Sequence, residues 1–319
     1  MKEVAIGIDI GGTNTAIGIV DREGNCLVET STPTKEHTAI EAYLENLSSL
    51  LKRELSKNPE WKLVGIGVGA PNANYHRGTI EEAPNLTWKG TVHFCKMLGE
   101  YFPGIKVTIT NDANAAAMGE MIYGAAKGIN DFVVITLGTG LGSGIVVKGD
   151  LVYGHDGFAG EVGHTMVFPE GRQCGCGKKG CLETYASATG MVRTMAEILC
   201  NSNNPSTLRE VPYNEMTAYS IQKALEAGDE LAKECYEYTG KILGMKLADV
   251  VCFTSPSHIF IFGGVAKAGE LLFEPTRKAM EEYLLPIFKG KITVAPSGLL
   301  NVNAAVLGAS ALAWNELEK

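Results

Sequence analysis

Short runs rich in β-branched residues open the chain. Residues 4–9 stop at a glycine pair, residues 15–20 resume the run, and residues 25–32 follow a turn at 21–24. Apolar runs bounded by turn residues predict three strands. The period then changes: Ile40, Tyr43, Leu44, Leu47, Leu50, Leu51 and Leu55 fall at helical spacing with charges between them, which predicts an amphipathic helix. Residues 62–69 and 106–110 predict two more strands, and the alanine-rich residues 113–126 a helix opening directly after a strand end. Residues 132–137 and 143–147 flank a Gly-rich turn and predict a second hairpin. Helices are expected at 183–200, 216–227 and 229–251, the last with Leu231, Cys235, Tyr238, Ile242 and Met245 on its apolar face. A strand at 258–262 ends in Gly263-Gly264. A helix at 270–285, a strand at 292–295 and a small-residue helix at 304–314 close the chain. Strands alternating with helices define the α/β class.

A shift of 126 positions aligns Gly12-Thr13 with Gly138-Thr139, and Gly18-Ile19-Val20 with Gly144-Ile145-Val146. Both copies read as strand, Gly/Thr turn, strand, so two related halves facing each other are expected. The length of 319 residues agrees with two domains or one large α/β unit. A composition 45% hydrophobic and 20% charged excludes disorder, collagen and coiled coil.

The net charge of −8 argues against a nucleic-acid partner, while leaving room for an anionic substrate held by backbone donors. The opening MKEVAIGIDIGG lacks an apolar leader core, and the uncharged stretches 132–147 and 250–266 are broken by Gly, Thr, Ser or Pro. No membrane partner and a cytoplasmic location are therefore expected. Cys26, Cys95, Cys200, Cys235 and Cys252 are scattered and are expected to be buried small apolar residues.

Five segments carry candidate chemistry. In GIDIGGTNTAIGIV, Gly11 and Gly12 permit a tight turn close to a ligand, Thr13 and Asn14 add donors, and the backbone N–H groups can form an anion-binding concavity. Asp9, just before the turn, is placed to hold hydrated Mg²⁺; a plain hairpin turn is the alternative. The pattern is neither a P-loop nor a dinucleotide fingerprint. LGTGLGSG, with Thr139 and Gly140, offers a second phosphate-sized turn, and two such turns suit a nucleotide triphosphate. Gly263 and Gly264 offer a floor for its base and ribose.

Asn111 and Asp112 end a strand and open a helix, where ligands bind in open α/β sheets. Asp112 can accept a proton from an attacking hydroxyl, or serve only as a helix cap. Finally, His164, Cys174, Cys176 and Cys181 supply one nitrogen and three sulfurs within eighteen residues. This set suits tetrahedral, structural Zn²⁺; redox thiols are the alternative. Glu161 and Glu183 bracket the cluster, as solvated surface or as acceptors for ligand hydroxyls.

Together DIGGT at 9–13, NDANAA at 111–116, LGTGLGSG at 137–144, AGEVGH at 159–164 and CGCGKKGCLE at 174–183 resemble the ROK family of sugar kinases, in the actin/hexokinase-like (ribonuclease H-like) ATPase superfamily. The resemblance implies two α/β domains around a cleft. The smaller would span 1–112 plus 301–319, the larger 113–300 with the zinc loop. It implies Asp112 as general base toward a hexose hydroxyl, usually O6, with Asn111, Glu161, His164 and Glu183 on other sugar hydroxyls. Gly12, Thr13 and Thr139 would cradle ATP phosphates and Asp9 would face Mg²⁺. Members are commonly homodimers and close on the sugar. Asn85 opens the Asn-Leu-x-Trp stretch near the sugar, whereas Ala70-Pro71-Asn72 departs from the pattern where Gly often follows Pro, leaving the roles of Asn72 and Asn74 open. Regulators in the family carry an N-terminal helix-turn-helix segment; with a first strand at residue 4, none is expected here.

The expected activity is thus ATP-dependent phosphorylation of a hexose, glucose first. Fructose, N-acetylglucosamine, N-acetylmannosamine and allose are the alternatives, and a sugar sensor without catalysis is a second class. Actin-like filament formation would leave the zinc cluster and sugar residues without a use.

Overall fold

The computed structural model describes residues 1–299 and 304–317. In chain order the strands are β1 (Lys2–Ile10), β2 (Asn14–Asp21), β3 (Cys26–Pro33), β4 (Trp61–Gly69), β5 (Ala73–Asn74), β6 (Thr79–Glu81), β7 (Thr91–Val92), β8 (Lys106–Thr110), β9 (Phe132–Leu137), β10 (Leu141–Val147), β11 (Asp150–Leu151), β12 (His258–Phe262) and β13 (Thr293–Pro296). The helices are α1 (Ile40–Ser56), α2 (Phe94–Tyr101), α3 (Asp112–Ile122), α4 (Ala188–Asn201), α5 (Ala218–Glu226), α6 (Glu230–Thr254), α7 (Glu270–Tyr283) and α8 (Ala304–Asn315). Two compact units result. The first takes Met1–Ile129, Asp150–Ala159 and the C-terminal helix; the second takes Asn130–Gly149 and the chain from Gly160 to the loop before that helix.

In the first unit the strand order is β3-β2-β1-β4-β8. β1 is antiparallel to β2 and parallel to β4, and β4 is parallel to β8. The β-branched runs of β1 and β2 are buried along most of their length. Tyr43, Leu44, Leu47 and Leu51 of α1 pack into the same core, each side chain stabilising by roughly 1.5–3 kcal/mol through burial. α8 comes down on the strands because glycines there leave no side chain in its way. A Cβ on Gly67 would stand 1.8 Å from the Ala309 carbonyl oxygen, and one on Gly7 2.1 Å from that of Val306.

The second unit repeats this plan: its strands run β10-β9-β12-β13, with β9 antiparallel to β10 and parallel to β12, and β12 parallel to β13. The 126-residue repeat therefore has a structural counterpart in β1-β2 and β9-β10. The hairpins differ by one residue, since Ile10 pairs with Thr15 and Leu137 with Leu141. α6 is capped by the Asp229 carboxylate, which accepts from the Leu231 and Ala232 N–H groups. No helix among the described residues is long and apolar enough to cross a membrane.

The structure departs from the sequence reading in several places. The expected boundary at residue 112 moves to Ile129, because α3 packs on α8: a Cβ on Gly308 would lie 2.2 Å from the Ala115 carbonyl oxygen. Positions 300–303 and 318–319 of the expected domains lie outside the described residues. α2 and the three-stranded antiparallel sheet β5-β6-β7 were not anticipated. The helix expected from 183 begins at Ala188, after a short 3-10 turn at Leu182–Thr184. Of the five scattered cysteines only Cys235 is buried and Cys95 half-buried, while Cys26, Cys200 and Cys252 are exposed. Cys26 opens the edge strand β3, and Cys200 and Cys252 lie on outer faces near helix C-termini.

Candidate active site and metal centre

In the first unit, Asp9 near the end of β1 and Asp112 at the start of α3 converge beside Gly69. A Cβ on Gly69 would lie 3.7 Å from Asp9 Oδ1 and 3.8 Å from Asp112 Cα. The helix cap is Asn111, whose Oδ1 accepts from the Asn114 N–H at 2.7 Å. That frees Asp112 from capping, so the cap reading applies to its neighbour. The Asp112 carboxylate accepts from the Ala113 N–H at 2.8 Å. Solvent reaches Asp112 by area, yet protein atoms crowd its carboxyl closely. This desolvation raises its pKa, and the Ala113 N–H only partly opposes it. Burial, and then the Asp112 charge, push Asp9 up to about 6.

A shift of that sign has a stability consequence. The folded state holds a proton on Asp9 up to about pH 6, whereas the unfolded chain releases it near pH 4. Stability therefore falls as pH rises across that window, by an amount on the order of 3 kcal/mol. Asp9→Asn should remove the fall. Thermal melts of the protein without Mg²⁺ or nucleotide are expected to show the variant gaining on the native chain from pH 4 to pH 7. A gap that narrows with rising pH would refute the assignment.

The turn between β1 and β2 is tight but not of the kind the glycines suggested. Neither Gly11 nor Gly12 has positive φ, so the alternating backbone of an anion concavity is not formed there. The glycines instead admit close neighbours. A Cβ on Gly12 would meet the Asn85 carbonyl oxygen at 2.7 Å, and one on Gly11 the Asn14 oxygen at 2.9 Å. Thr13 and Asn14 are exposed, and the Thr13 carbonyl accepts from the N–H groups of Thr34 and Lys35. The loop of Asn85 is tied to the same strap, because Thr87 Oγ1 and Trp88 Nε1 both donate to the His37 carbonyl. Asn72, where glycine was expected, takes the left-handed conformation itself with φ 51°, which asparagine tolerates. Its amide donates to the Glu82 carbonyl. Asn74 is buried and donates to the Asp156 carbonyl at 2.6 Å. Both are thus engaged by backbone.

In the second unit, His164 Nδ1 and the thiols of Cys174, Cys176 and Cys181 all lie within 4.8 Å of one another. Cys174 Sγ is 3.7 Å from His164 Nδ1, and Cys176 Sγ is 3.6 Å from Cys181 Sγ. Tetrahedral ligands with metal–sulfur bonds of about 2.3 Å stand about 3.8 Å apart, so the set has the size of a zinc site. Burial drives the Cys181 thiol up to about 12 and raises that of Cys174; a cation in their midst would offset this cost. The other imidazole nitrogen, Nε2, faces the exposed Glu161 carboxylate at 3.9 Å. Glu183 is more constrained. Its Oε2 accepts from the Leu141 N–H at 3.0 Å, and its Oε1 lies 3.7 Å from Cys174 Sγ.

Gly140 makes that placement possible, since a Cβ there would stand 2.2 Å from Glu183 Oε2. Thr139 is exposed at the same turn, and its carbonyl accepts from Thr189 Oγ1. Gly263 has φ 110° and passes 2.4 Å, measured from its ideal Cβ, from the Leu137 oxygen; Gly264 faces open space. The end of β12 thus lies against the LGTG turn. Sequence reasoning missed the Leu141 N–H, because a backbone donor leaves no mark in the residue pattern.

A hairpin-led α/β plan occurring twice, with a glycine turn in each unit and the Asp9 carboxylate near the end of β1 in the first, defines an ATPase fold of the actin/hexokinase-like class. The profile of the ROK family matches residues 5–316. A glucokinase of Halalkalibacterium halodurans is 36% identical over 88% of this chain and 86% of its own. The crystal structure of a ROK family glucokinase from Streptomyces griseus in complex with glucose and AMPPNP is 32% identical, with TM-score 0.81 over 98% of this chain and 99% of that one. The DNA-binding transcriptional dual regulator NagC of Escherichia coli is 30% identical over 97% of this chain and 74% of its own. The chain belongs to the ROK family.

Proposed function

We propose that this chain transfers the terminal phosphoryl group of ATP to the O6 hydroxyl of glucose. The broader class, an ATP-dependent sugar kinase, is supported by the glucokinase relatives. The observation that carries the reading is Asp112: first in α3, released from capping by Asn111, and with a raised pKa. A carboxylate of raised pKa is a better acceptor at neutral pH. Asp112 takes the hydroxyl proton as the sugar oxygen attacks the γ-phosphorus and the bond to ADP breaks.

Glu183, Glu161, His164 Nε2, Asn85 and the Asn111 amide are assigned the remaining hydroxyls. These are acceptors and donors of the kind hydroxyls require. Thr13 and Asn14, exposed at the first turn, and Thr139 and Gly140 at the second are assigned the phosphates, and Gly263 and Gly264 the nucleoside. Asp9 would hold Mg²⁺, a fitting partner for a carboxylate raised by burial and a like charge. Bound there, the ion would neutralise phosphate oxygens. His164, Cys174, Cys176 and Cys181 would hold Zn²⁺ with no open position, a structural role. The expected assembly is a homodimer.

The test is an ADP-release assay with Mg-ATP over glucose, fructose, mannose, N-acetylglucosamine, N-acetylmannosamine and allose. Turnover highest on glucose supports the proposal, and preference for another sugar moves the substrate within the class. The similarity to NagC favours a second reading, a non-catalytic sensor; sugar binding without turnover on any member of the panel would select it. Thr13→Val should raise the KM for ATP several-fold while the KM for sugar stays near native, because the hydroxyl donor it removes serves phosphate. The reverse split would exchange the two sites.

A further inference from the structure

Arg172 stands two residues before Cys174, and the assignments above give it no role. Its side chain is only 10% exposed. Nε and Nη2 pair with the two carboxylate oxygens of Glu197 at 2.9 and 2.5 Å. Nη1 donates to the Thr184 carbonyl at 2.7 Å, the Gly190 carbonyl at 3.1 Å and Thr194 Oγ1 at 3.0 Å. The guanidinium carbon lies 4.4 Å from the centre of the Tyr185 ring. The main chain is engaged as well: the Arg172 N–H donates to the Tyr185 hydroxyl at 3.0 Å, and its carbonyl accepts from the Gly180 N–H at 2.8 Å.

These contacts join three segments: the loop carrying Cys174, Cys176 and Cys181, the turn Leu182–Thr184, and the first turns of α4. Thr184 is the direct neighbour of Glu183, whose carboxylate must fit between the Leu141 N–H and the bare Cα of Gly140. A small rotation of the turn would move that carboxylate off both. A surface ion pair to Glu197 alone would contribute little. The three acceptors on Nη1, two of them backbone carbonyls, are what ties the guanidinium to the turn, and the planar fork of arginine reaches them while also pairing with Glu197.

We infer that Arg172 is a positioning residue: its hold on the Thr184 carbonyl keeps the Glu183 carboxylate aimed, and so sets the affinity for the sugar without touching it. The inference rests on the reading of Glu183 as a sugar ligand. The experiment compares the native protein with Arg172→Lys, Glu183→Gln and the double variant by steady-state kinetics and zinc content. Lysine keeps the charge and loses the fork.

Arg172→Lys is expected to raise the KM for sugar about tenfold, within the loss a misplaced group causes, with the KM for ATP and the zinc content unchanged. In the Glu183→Gln background it should add nothing, because changes acting through one contact do not sum. Additive effects, or an equal rise in both KM values, would overturn the inference. A native sugar KM in Glu183→Gln alone removes the underlying sugar assignment, and with it the basis of the inference. A raised KM there beside a native KM in Arg172→Lys removes only the positioning role. If Arg172→Lys does not fold, Glu197→Gln loosens the fork from its exposed side. It should raise the sugar KM about two- to threefold by the same coupling logic, and no rise would overturn the inference.

Discussion

Asp112→Asn is expected to lower turnover by about a thousandfold, within the range for loss of a general base, while sugar affinity stays close to native. The substitution is nearly isosteric. An amide Oδ1 can still accept from the Ala113 N–H, as the carboxylate does at 2.8 Å, and Asn111 remains the cap of α3. What disappears is the proton acceptor. The residual rate should also lose its acid limb, because the group whose raised pKa governs ionisation is gone. Calorimetry of sugar binding beside the coupled assay separates the two effects. Near-native turnover would remove Asp112 as the base, and lost sugar binding would recast it as a ligand.

The second large effect concerns the metal loop. Cys176→Ala should release zinc, raise the sugar KM at least tenfold and lower the melting temperature. Residues 175–179 are exposed, so little apolar burial is available to hold that segment when a ligand is lost. The collapse should reach the sugar site, since Cys174 Sγ lies 3.7 Å from Glu183 Oε1. Cys200→Ala, an exposed thiol on α4, serves as the control and should change nothing. Metal analysis that finds no zinc in the native protein would eliminate the zinc assignment outright, and the three thiols would then need a redox explanation.

Much of this was legible because the chemistry is local in sequence. DIGGT, NDANAA and CGCGKKGCLE each place their side chains within one turn or loop, and the β-branched runs marked most of the long strands. What stayed hidden depends on contacts between distant segments. α3 carries no polar face to show which unit it belongs to, because its alanines meet Gly308 across nearly two hundred residues. The sheet β5-β6-β7 is built from strands of two or three residues, too short for any alternation to register. Arg172 looks like one more charge in a glycine-rich loop, since nothing nearby announces Thr184, Gly190 and Glu197 as its partners. The glycines at 11 and 12 suggest backbone freedom, whereas what they supply is space for Asn85 and Asn14.

The glycine platform under α8 also sets an order of events at the ribosome. Every other segment of the first unit has been made by Ala159, yet the helix that covers Gly7 and Gly67 begins only at Ala304. The interval is 304 − 159 = 145 residues, or roughly 7–30 s at ordinary elongation rates. For that time the nascent sheet presents a bare strip of backbone that α8 does not yet cover, while the remainder of the second unit, from Gly160 onward, is made in one stretch. The unit that is begun first is therefore the one that is finished last.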